Sequence, residues 1–273
     1  MFQARRTQST FSLALNMLEL TFHAASRKVR QSHHNAVMAI VLSVVQSMLF
    51  IAAFYVMFTV LGQRGAAIRG DFMLYLLTGI FAYLTHIKAV QAIMGTESST
   101  SPMMQHAPMN TLVAILSSAL STLYTQTVSL LVLLLVLHTV IAPLTFYYWP
   151  GGLMMFLMAW ASGCVVGLVL MALKPWMPDV VNIMQLVYVR ANMIASGKMF
   201  VANMMPSALI GYFDWNPLFH IIDQARGFTF VNYYPHHSNW EYPVYATLVL
   251  LVIGFMGEAY TRKYASASWD MGR

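Results

Sequence analysis

The chain has 273 residues, of which 59% are hydrophobic and 9% are charged, and its formal net charge is +6. Soluble domains carry about 25% charged residues, so this composition excludes an ordinary soluble protein and indicates one that lies in lipid. Membrane orientation and attraction to anionic lipid explain the positive charge, so no nucleic-acid partner is expected. The single cysteine, Cys164, lies in an apolar run and is interpreted as a packing residue.

The N-terminal segment, residues 1–35, precedes the first apolar run. Phe11, Leu15, Leu18 and Phe22 recur at helical spacing, and a basic cluster follows them. The pattern predicts an amphipathic helix that lies on the cytoplasmic leaflet. A helix packed on a partner protein would show the same pattern, and the two interpretations are compatible.

Residues 36–260 are predicted to form an all-α polytopic membrane domain with six transmembrane helices. From Ser98 to Leu173 the chain has no Asp, Glu, Lys or Arg, and this run is too long for one crossing of about 20 residues. Prolines and glycines between Pro143 and Gly152 divide it into two spans. The spans are predicted, in chain order, at residues 36–61, 72–94, within 111–141, 153–173, from about 180, and 244–257.

The fifth span is weak because it contains Asn182, Gln185 and Arg190. Orientation follows from the Lys and Arg residues near the span ends. With six spans, the basic residues before the first span, in the fourth-to-fifth loop and in the tail (261–273) lie on one side. Both termini are therefore predicted to be cytoplasmic. A five-span chain would place the basic residues of the tail on the opposite side.

A charged segment between the fifth and sixth spans is predicted to begin a short helix. Asn216 is a favoured N-cap, Pro217 suits the first helical position and Gly227 suits the C-terminal end. About ten residues extend about 15 Å, which is half the hydrocarbon thickness, so this helix cannot cross the membrane. With the residues before it, turned at Pro206, it is predicted to form a re-entrant helical hairpin over about 198–230.

Charged side chains in lipid need a partner or a water-filled path. Asp223 and Arg226 are three residues apart on the predicted short helix and are expected to pair. Arg190 is predicted near mid-membrane and needs a partner or an aqueous path. Lys88 is close enough to the cytoplasmic end of the second span to extend its ammonium group to the interface.

The stretch "RANMIASGKMFVANMMPSALIGYFDWNPLFHIIDQARG" resembles a known family. The features that carry the likeness are Arg190, Ser196, Gly197, Pro206, Trp215 to Leu218 (Trp-Asn-Pro-Leu), His220, Asp223 and Arg226. In this order they resemble the fifth span and re-entrant hairpin of the membrane permease subunits of type-2 ABC exporters, in the branch that exports capsular polysaccharide and O-antigen. The segments "SPMMQHAPMNTLVAILSSALS", "YYPHHSNWEYPVY" and "GEAYTRKY" are also similar to that family.

The resemblance implies a subunit of an ATP-driven exporter in the bacterial inner membrane. Two copies would form a homodimeric path for a lipid-linked polysaccharide, two copies of a separate nucleotide-binding ATPase would drive it, and periplasmic export components are possible partners. The sequence contains no G-x-x-x-x-G-K-[ST] loop. This chain is therefore not expected to be an enzyme or to bind a cofactor. ATP and magnesium are expected to bind to the partner ATPase.

Coupling to the ATPase is expected at the cytoplasmic face. The candidate contacts, in the two loops predicted on that face, are Glu97, Pro102, His106, Lys174 and Asp179. The resembled family often carries basic residues in the first of these loops, where this chain has only His106. An ordinary solvated loop acid is an equally good interpretation of Glu97.

Aromatic residues are predicted at the outer ends of the spans and around the hairpin. With Lys88 and Arg190, the candidates for the substrate path are Tyr147, Tyr148, Trp149, Trp215, Tyr233 and Tyr234. Sugar rings present C–H faces that stack on such side chains. An interfacial aromatic belt would place the same residues there without any sugar.

Two other functions are left open by the sequence. A permease of the same architecture could export a drug or a lipid that carries no glycan. An integral membrane transferase would need a convergent catalytic set, and the adjacent pairs His33–His34 and His236–His237 have a poor spacing for a metal site on a helix. No metal is predicted.

Overall fold

The computed structural model describes residues 10–31, 36–60, 71–96, 111–141 and 143–264, and these residues form helices and connecting turns without a strand. Glu97, Pro102 and His106, the predicted ATPase contacts of the first cytoplasmic loop, lie outside the described residues. The bounds of the helices are α1 Thr10–Gln31, α2 Ala36–Val60, α3 Phe72–Met94, α4 Thr111–Val136, α5 Trp149–Leu173, α6 Pro178–Ala195, α7 Ser207–Ile210, α8 Pro217–Thr229 and α9 Glu241–Tyr264.

Five helices of the described chain are long and apolar enough to cross a membrane, namely α2, α3, α4, α5 and α9. This confirms the all-helical fold of the described residues, and five such helices are compatible with a multi-pass membrane protein. Helix α5 begins at Trp149, four residues before the predicted start, because Pro150 fits the first turn of a helix instead of ending the turn before it. Helix α6 has 18 residues but is more polar than the five.

Helix α3 is the centre of the bundle. It contacts α2, α4, α5 and α8, and 83% of its most apolar stretch is buried, against 17% for α9. Its side chains therefore meet protein on nearly every face, whereas α9 presents most of its surface outward. A helix that is buried on all sides has apolar residues all around its circumference. The sequence of α3 therefore shows no single apolar stripe.

Helices α3 and α5 pack closely because glycines on α5 remove the side chains between them. A Cβ atom on Gly163 would overlap the carbonyl of His86, and one on Gly167 would lie 2.7 Å from the carbonyl oxygen of Val90. Small residues four apart bring helix backbones together in membranes, where van der Waals packing drives association. The contacts rise together along both helices, so α3 and α5 run parallel.

Helix α9 also runs parallel to α5. Gly254 faces Leu168, and Gly257 faces Ala172 one turn further on. The ends of α5 and α9 are joined as well, because the Trp176 indole N–H donates to the Thr261 hydroxyl over 2.9 Å. The chain must therefore return from the end of α5 to the opposite end of the bundle before α9 begins.

Helix α1 packs on α4 through a face that the sequence pattern does not mark. Its buried side chains are Thr21, Ala25 and Val29, whereas Leu18 and Phe22 are about two-thirds exposed. The predicted helix is confirmed. Its apolar stripe faces away from the bundle, as is required of a stripe that contacts lipid headgroups or a partner.

We expect Gly163→Ala to destabilise the protein. Alanine favours a helix over glycine by about 1 kcal/mol, but the overlap with His86 should cost about 1–3 kcal/mol, since the backbone of α3 must move. Thermal unfolding of the detergent-purified chain measures the difference. The matched control is Gly211→Ala, because nothing lies within 4 Å of the Cβ position there; equal melting temperatures for the two variants would contradict close α3–α5 packing.

Candidate functional site

The charged segment after α6 begins α8 in the predicted way. The Asn216 side-chain oxygen accepts from the Leu218 N–H over 3.0 Å, and Pro217 occupies the first helical position. The Asn216 amide group also donates to the Asn192 side chain over 2.9 Å and to the Ala195 carbonyl over 3.0 Å. The N-cap thus ties the start of α8 to the end of α6.

The predicted end of this helix at Gly227 is wrong, because α8 continues to Thr229. Glycine is needed at 227 for a different reason. A Cβ atom there would lie 2.6 Å from the Pro235 ring, so the residue serves the close approach of the following loop. The sequence signal for a helix end and for a close packing position is the same residue type.

Arg226 is the most deeply enclosed charge of the segment, with 1% of its surface exposed. Its guanidinium group donates to three carbonyl oxygens, those of Gly197 (3.0 Å), Phe200 (2.7 Å) and Lys198 (2.8 Å). The same group lies over the ring of Tyr75 on α3, 4.3 Å from its centre. The Arg226 side chain therefore joins helix α8 to the turn after α6 and to helix α3.

Glycines allow the approach to Arg226. Gly197 has φ +73°, a left-handed conformation that turns its carbonyl toward the guanidinium group. A Cβ atom on Gly79 of α3 would lie 2.7 Å from an Arg226 nitrogen. The glycine of the Ser-Gly pair that precedes the hairpin is thus explained by the geometry of this cation.

The predicted pairing of Asp223 with Arg226 is wrong. Asp223 accepts hydrogen bonds from the Tyr233 hydroxyl and from the Ser238 hydroxyl, the second over 2.7 Å. The loop after α8 folds back over the helix and supplies these donors, while Arg226 turns to carbonyls on the opposite side. Spacing on one helix could not reveal either partner, because both come from other segments of the chain. Burial of the Tyr233 hydroxyl raises its pKa, and the neighbouring Asp223 carboxylate raises this pKa further, which keeps the donor protonated.

Lys198 lies beside this cluster and was not predicted as a site residue. It is 1% exposed, and its ammonium nitrogen lies 3.4 Å from the ring centre of Tyr83, 5.0 Å from that of Phe50 and 5.3 Å from that of Phe54. No acceptor among the described residues hydrogen-bonds to this nitrogen. Aromatic faces attract a cation and replace part of its hydration, and burial still lowers the pKa of Lys198 to about 7.

His220 forms hydrogen bonds through both of its ring nitrogens. One ring nitrogen donates to the Asp214 carbonyl over 2.7 Å, and the other accepts from the Asn239 N–H over 3.2 Å. This assignment describes the neutral imidazole. The predicted hairpin residue is therefore used to hold the turn before α8 against the loop before α9.

The aromatic candidates lie at the same end of the bundle as the hairpin. The backbone N–H groups of Tyr147 and Tyr148 donate to the carbonyls of Thr229 (3.1 Å) and Phe228 (2.8 Å), which joins the loop before α5 to the end of α8. The exposed members of the predicted set are Tyr147, Tyr148, Trp149, Trp215 and Tyr234. Tyr233 is buried, and its hydroxyl donates a hydrogen bond to Asp223.

Pro206 has φ −57° and ψ 136° and directly precedes α7, so it lies at the predicted turn. Lys174 and Asp179 flank the short turn between α5 and α6, at the end of the bundle where Trp176 meets Thr261. Asp179 is exposed and Lys174 is half-buried. This end is opposite to the aromatic loop and α8.

Arg190 lies on the exposed face of α6. Ile183, Val187 and Ile194 share this face at helical spacing, and each is about 60% exposed. On the opposite side, His86 of α3 hydrogen-bonds to the Tyr188 hydroxyl over 2.8 Å. Helix α6 is thus fixed to α3 by polar contacts and turns an apolar stripe with one cation outward.

The Lys88 side chain contacts the neighbouring helices α2 and α4. Its ammonium group donates to the Ser43 hydroxyl of α2 over 2.8 Å, and the Gln126 amide of α4 reaches the same hydroxyl over 3.3 Å. Lys88 and Arg190 therefore lie on different sides of the bundle, since the first faces α2 and α4 and the second lies on the outer face of α6.

No protein-family model matches this chain, and no curated protein matches it. The family resemblance therefore remains a prediction from the residues that carry it.

We expect Arg226→Lys to destabilise the protein by about 3 kcal/mol. A lysine has no planar fork and cannot reach all three carbonyls, and charged hydrogen bonds contribute about 1.5–3 kcal/mol each. The melting temperature in detergent should fall clearly below that of the wild type. Arg262→Lys, at an exposed position on α9, is the control, and equal losses in the two variants would show that Arg226 is not a structural centre.

We expect Lys198→Met to raise stability by about 1 kcal/mol at or below about pH 7, because the thioether fills the aromatic pocket without an unpaired ammonium group. The pKa of Lys198 falls from 10.5 to about 7 on folding. Between these values the unfolded chain binds more protons, so wild-type stability rises with pH, and the advantage of methionine shrinks and then reverses.

Melting temperatures of Lys198→Met and wild type, measured from about pH 6 to about pH 9, test this expectation. The control is Lys263→Met, at an exposed position of α9. A gap between Lys198→Met and wild type that stays constant over this range would contradict a buried lysine with a lowered pKa.

Proposed function

We propose that this chain is the membrane permease subunit of an ATP-driven exporter, and that it moves a lipid-linked polysaccharide across the bacterial inner membrane. Two copies form the path, and two copies of a separate ATPase supply the energy at the cytoplasmic face. Both termini are cytoplasmic in this proposal, and α6 is the fifth of six spans.

The observation that carries the proposal is the course of α6. Helix α6 starts after the turn that contains Trp176, and Trp176 hydrogen-bonds to Thr261 near the end of α9. At its other end, α6 accepts a hydrogen bond from Asn216 at the start of α8. Because α5 and α9 run parallel, the chain must return between them, and α6 is the only long helix in the described stretch that joins them. Its 18 residues extend about 27 Å, close to the roughly 30 Å hydrocarbon core.

The hairpin between α6 and α9 supports the same architecture. Helix α8 has 13 residues, about 20 Å, which is too short to cross. Arg226, Lys198 and Asp223 are all buried among protein groups, so a charged segment at membrane depth does not face lipid. The hairpin thus enters the outer leaflet and returns on the side of the exposed aromatic residues.

The stripe on α6 supports a second copy and a path. Arg190 lies between Val187 and Ile194 on an exposed face. In lipid an arginine at this depth costs about 2.5–3.5 kcal/mol. A facing copy of the chain covers the apolar residues and leaves Arg190 beside an aqueous path, where it attracts an anionic cargo.

We expect Arg190→Ala to lower export of the polymer by about tenfold or more, because a cation that attracts an anionic cargo is lost. Folding, dimerisation and ATPase binding should persist, since the exposed Arg190 side chain makes no hydrogen bond or ion pair with the described residues. Arg190→Lys should retain part of the transport, because it keeps a point charge and loses the fork. Proteoliposomes that contain the chain and its ATPase, loaded with lipid-linked polysaccharide, provide the assay.

Arg262→Ala, on the cytoplasmic end of α9, is the matched control and should transport normally. The proposal fails if the chain alone moves the polymer in an ATP-dependent manner. The proposed substrate is wrong if the exporter moves a drug or a phospholipid without glycan but does not move the polysaccharide. Loss of Arg190→Ala protein from the membrane would make Arg190 a structural residue instead.

A further inference from the structure

A cavity of about 570 Å³ with several polar side chains in its lining lies between α1, α2, α3 and α4, away from the hairpin and from Arg190. Its size falls within the range of about 300–1,000 Å³ that is typical of ligand sites. Two lysines line it, Lys28 from the last turns of α1 and Lys88 from α3. Among the described residues that line the cavity there is no Asp or Glu.

The two lysines mark the two ends of the cavity. Lys28 donates to the Ser118 hydroxyl, which also bonds to Thr96 just beyond the end of α3, over 2.7 Å. Lys88 lies six residues before the last residue of α3, which is about 9 Å along the helix axis. There its ammonium group donates to the Ser43 hydroxyl. The cavity therefore extends from the level of the helix ends into the bundle, with a cation at each level.

Hydroxyl and amide groups of α4 line the wall between the lysines. Ser121, Thr122 and Thr125 contribute hydroxyl groups, and Gln126 lies at the inner end. Gln126 is 1% exposed, and its side-chain oxygen accepts no hydrogen bond from any described residue. A buried acceptor without a donor is costly, so a ligand that brings a hydroxyl or an N–H group to this end of the cavity would supply the missing donor.

The edge of the cavity lies on the outer surface of α2. Leu42 and Gln46 line the cavity and are exposed. Beside them Val41, Val45 and Leu49 form an exposed apolar surface on the same helix. A ligand with a polar anionic head and hydrocarbon chains matches this arrangement, since its chains would lie along α2 while its head enters between the lysines.

We propose that the cavity binds the phosphate head of an anionic lipid, with Lys28 and Lys88 on the phosphate and the Gln126 oxygen accepting from a hydroxyl of the head group. Phosphate attracts the ammonium groups as point charges. The hydroxyl supplies the donor that Gln126 lacks. This site is separate from Arg190 and does not depend on which cargo the chain moves.

The test uses the full chain in neutral detergent and short-chain lipids, with binding followed by thermophoresis. Dihexanoyl-phosphatidylglycerol should bind, and the Lys28→Gln/Lys88→Gln variant should bind it about tenfold more weakly or worse, because two charge-assisted contacts are lost. Lys263→Gln removes one charge from the predicted cytoplasmic end of α9 and should leave the affinity within about twofold, because its exposed charge is screened.

A second comparison examines the hydroxyl contact. Dihexanoyl-phosphatidylmethanol has the same charge but no free hydroxyl, so the wild type should prefer phosphatidylglycerol. Gln126→Leu should remove this preference while the affinity for phosphatidylmethanol persists. This variant and the single substitution Lys28→Gln keep the proposal testable if the double variant does not fold.

The source of the phosphate is distinguished with farnesyl phosphate. Tighter binding of farnesyl phosphate, lost in the lysine variants, identifies an isoprenoid carrier lipid, and tighter binding of phosphatidylglycerol identifies a bilayer lipid. Either result supports a lipid-phosphate site. The proposal is overturned if neither lipid binds better than dihexanoyl-phosphatidylcholine, or if the double lysine variant binds as tightly as the wild type.

Discussion

The structure at the end of the bundle that holds α8 depends on the contact between Arg226 and the three carbonyl groups of the turn after α6. A guanidinium group has five donors and no acceptor, so in a buried position it needs oxygens arranged around it. The turn supplies them because Gly197 adopts a left-handed conformation. Tyr75 and Gly79 of α3 close the site from the other side. Helix α8 is thereby held in the core although it is short and charged.

The inner part of the bundle depends on a different constraint, the close approach of α3 and α5. Gly163 and Gly167 bring the two backbones together and set them parallel. Parallel neighbours in one chain require a return segment, which α4 provides between α3 and α5. The same argument applies between α5 and α9, where α6 must provide the return. Helix α6 therefore runs opposite to α5 and α9, although it is more polar than the five apolar helices.

Four charged side chains of the described residues fall into two groups by what surrounds them. Arg226 and Asp223 are enclosed and hydrogen-bonded to groups of the same chain, so they stabilise the fold. Arg190 lies on an exposed apolar stripe, and Lys88 lines a cavity. Both of these cations are placed where a molecule outside the chain can reach them, which separates the residues that build the scaffold from those available for recognition.

The sequence by itself determined the membrane class, the positions of the apolar helices and the start of α8 at Asn216 and Pro217. These features depend on composition and on neighbouring residues, which the sequence displays directly. The tertiary structure alone decided the partners of the buried charges. Asp223 and Arg226 are three residues apart and still bind groups from other segments, and Lys198 finds its aromatic rings on α2 and α3. Such contacts join residues far apart in the chain, and a local pattern holds no information about which distant groups will meet when helices pack.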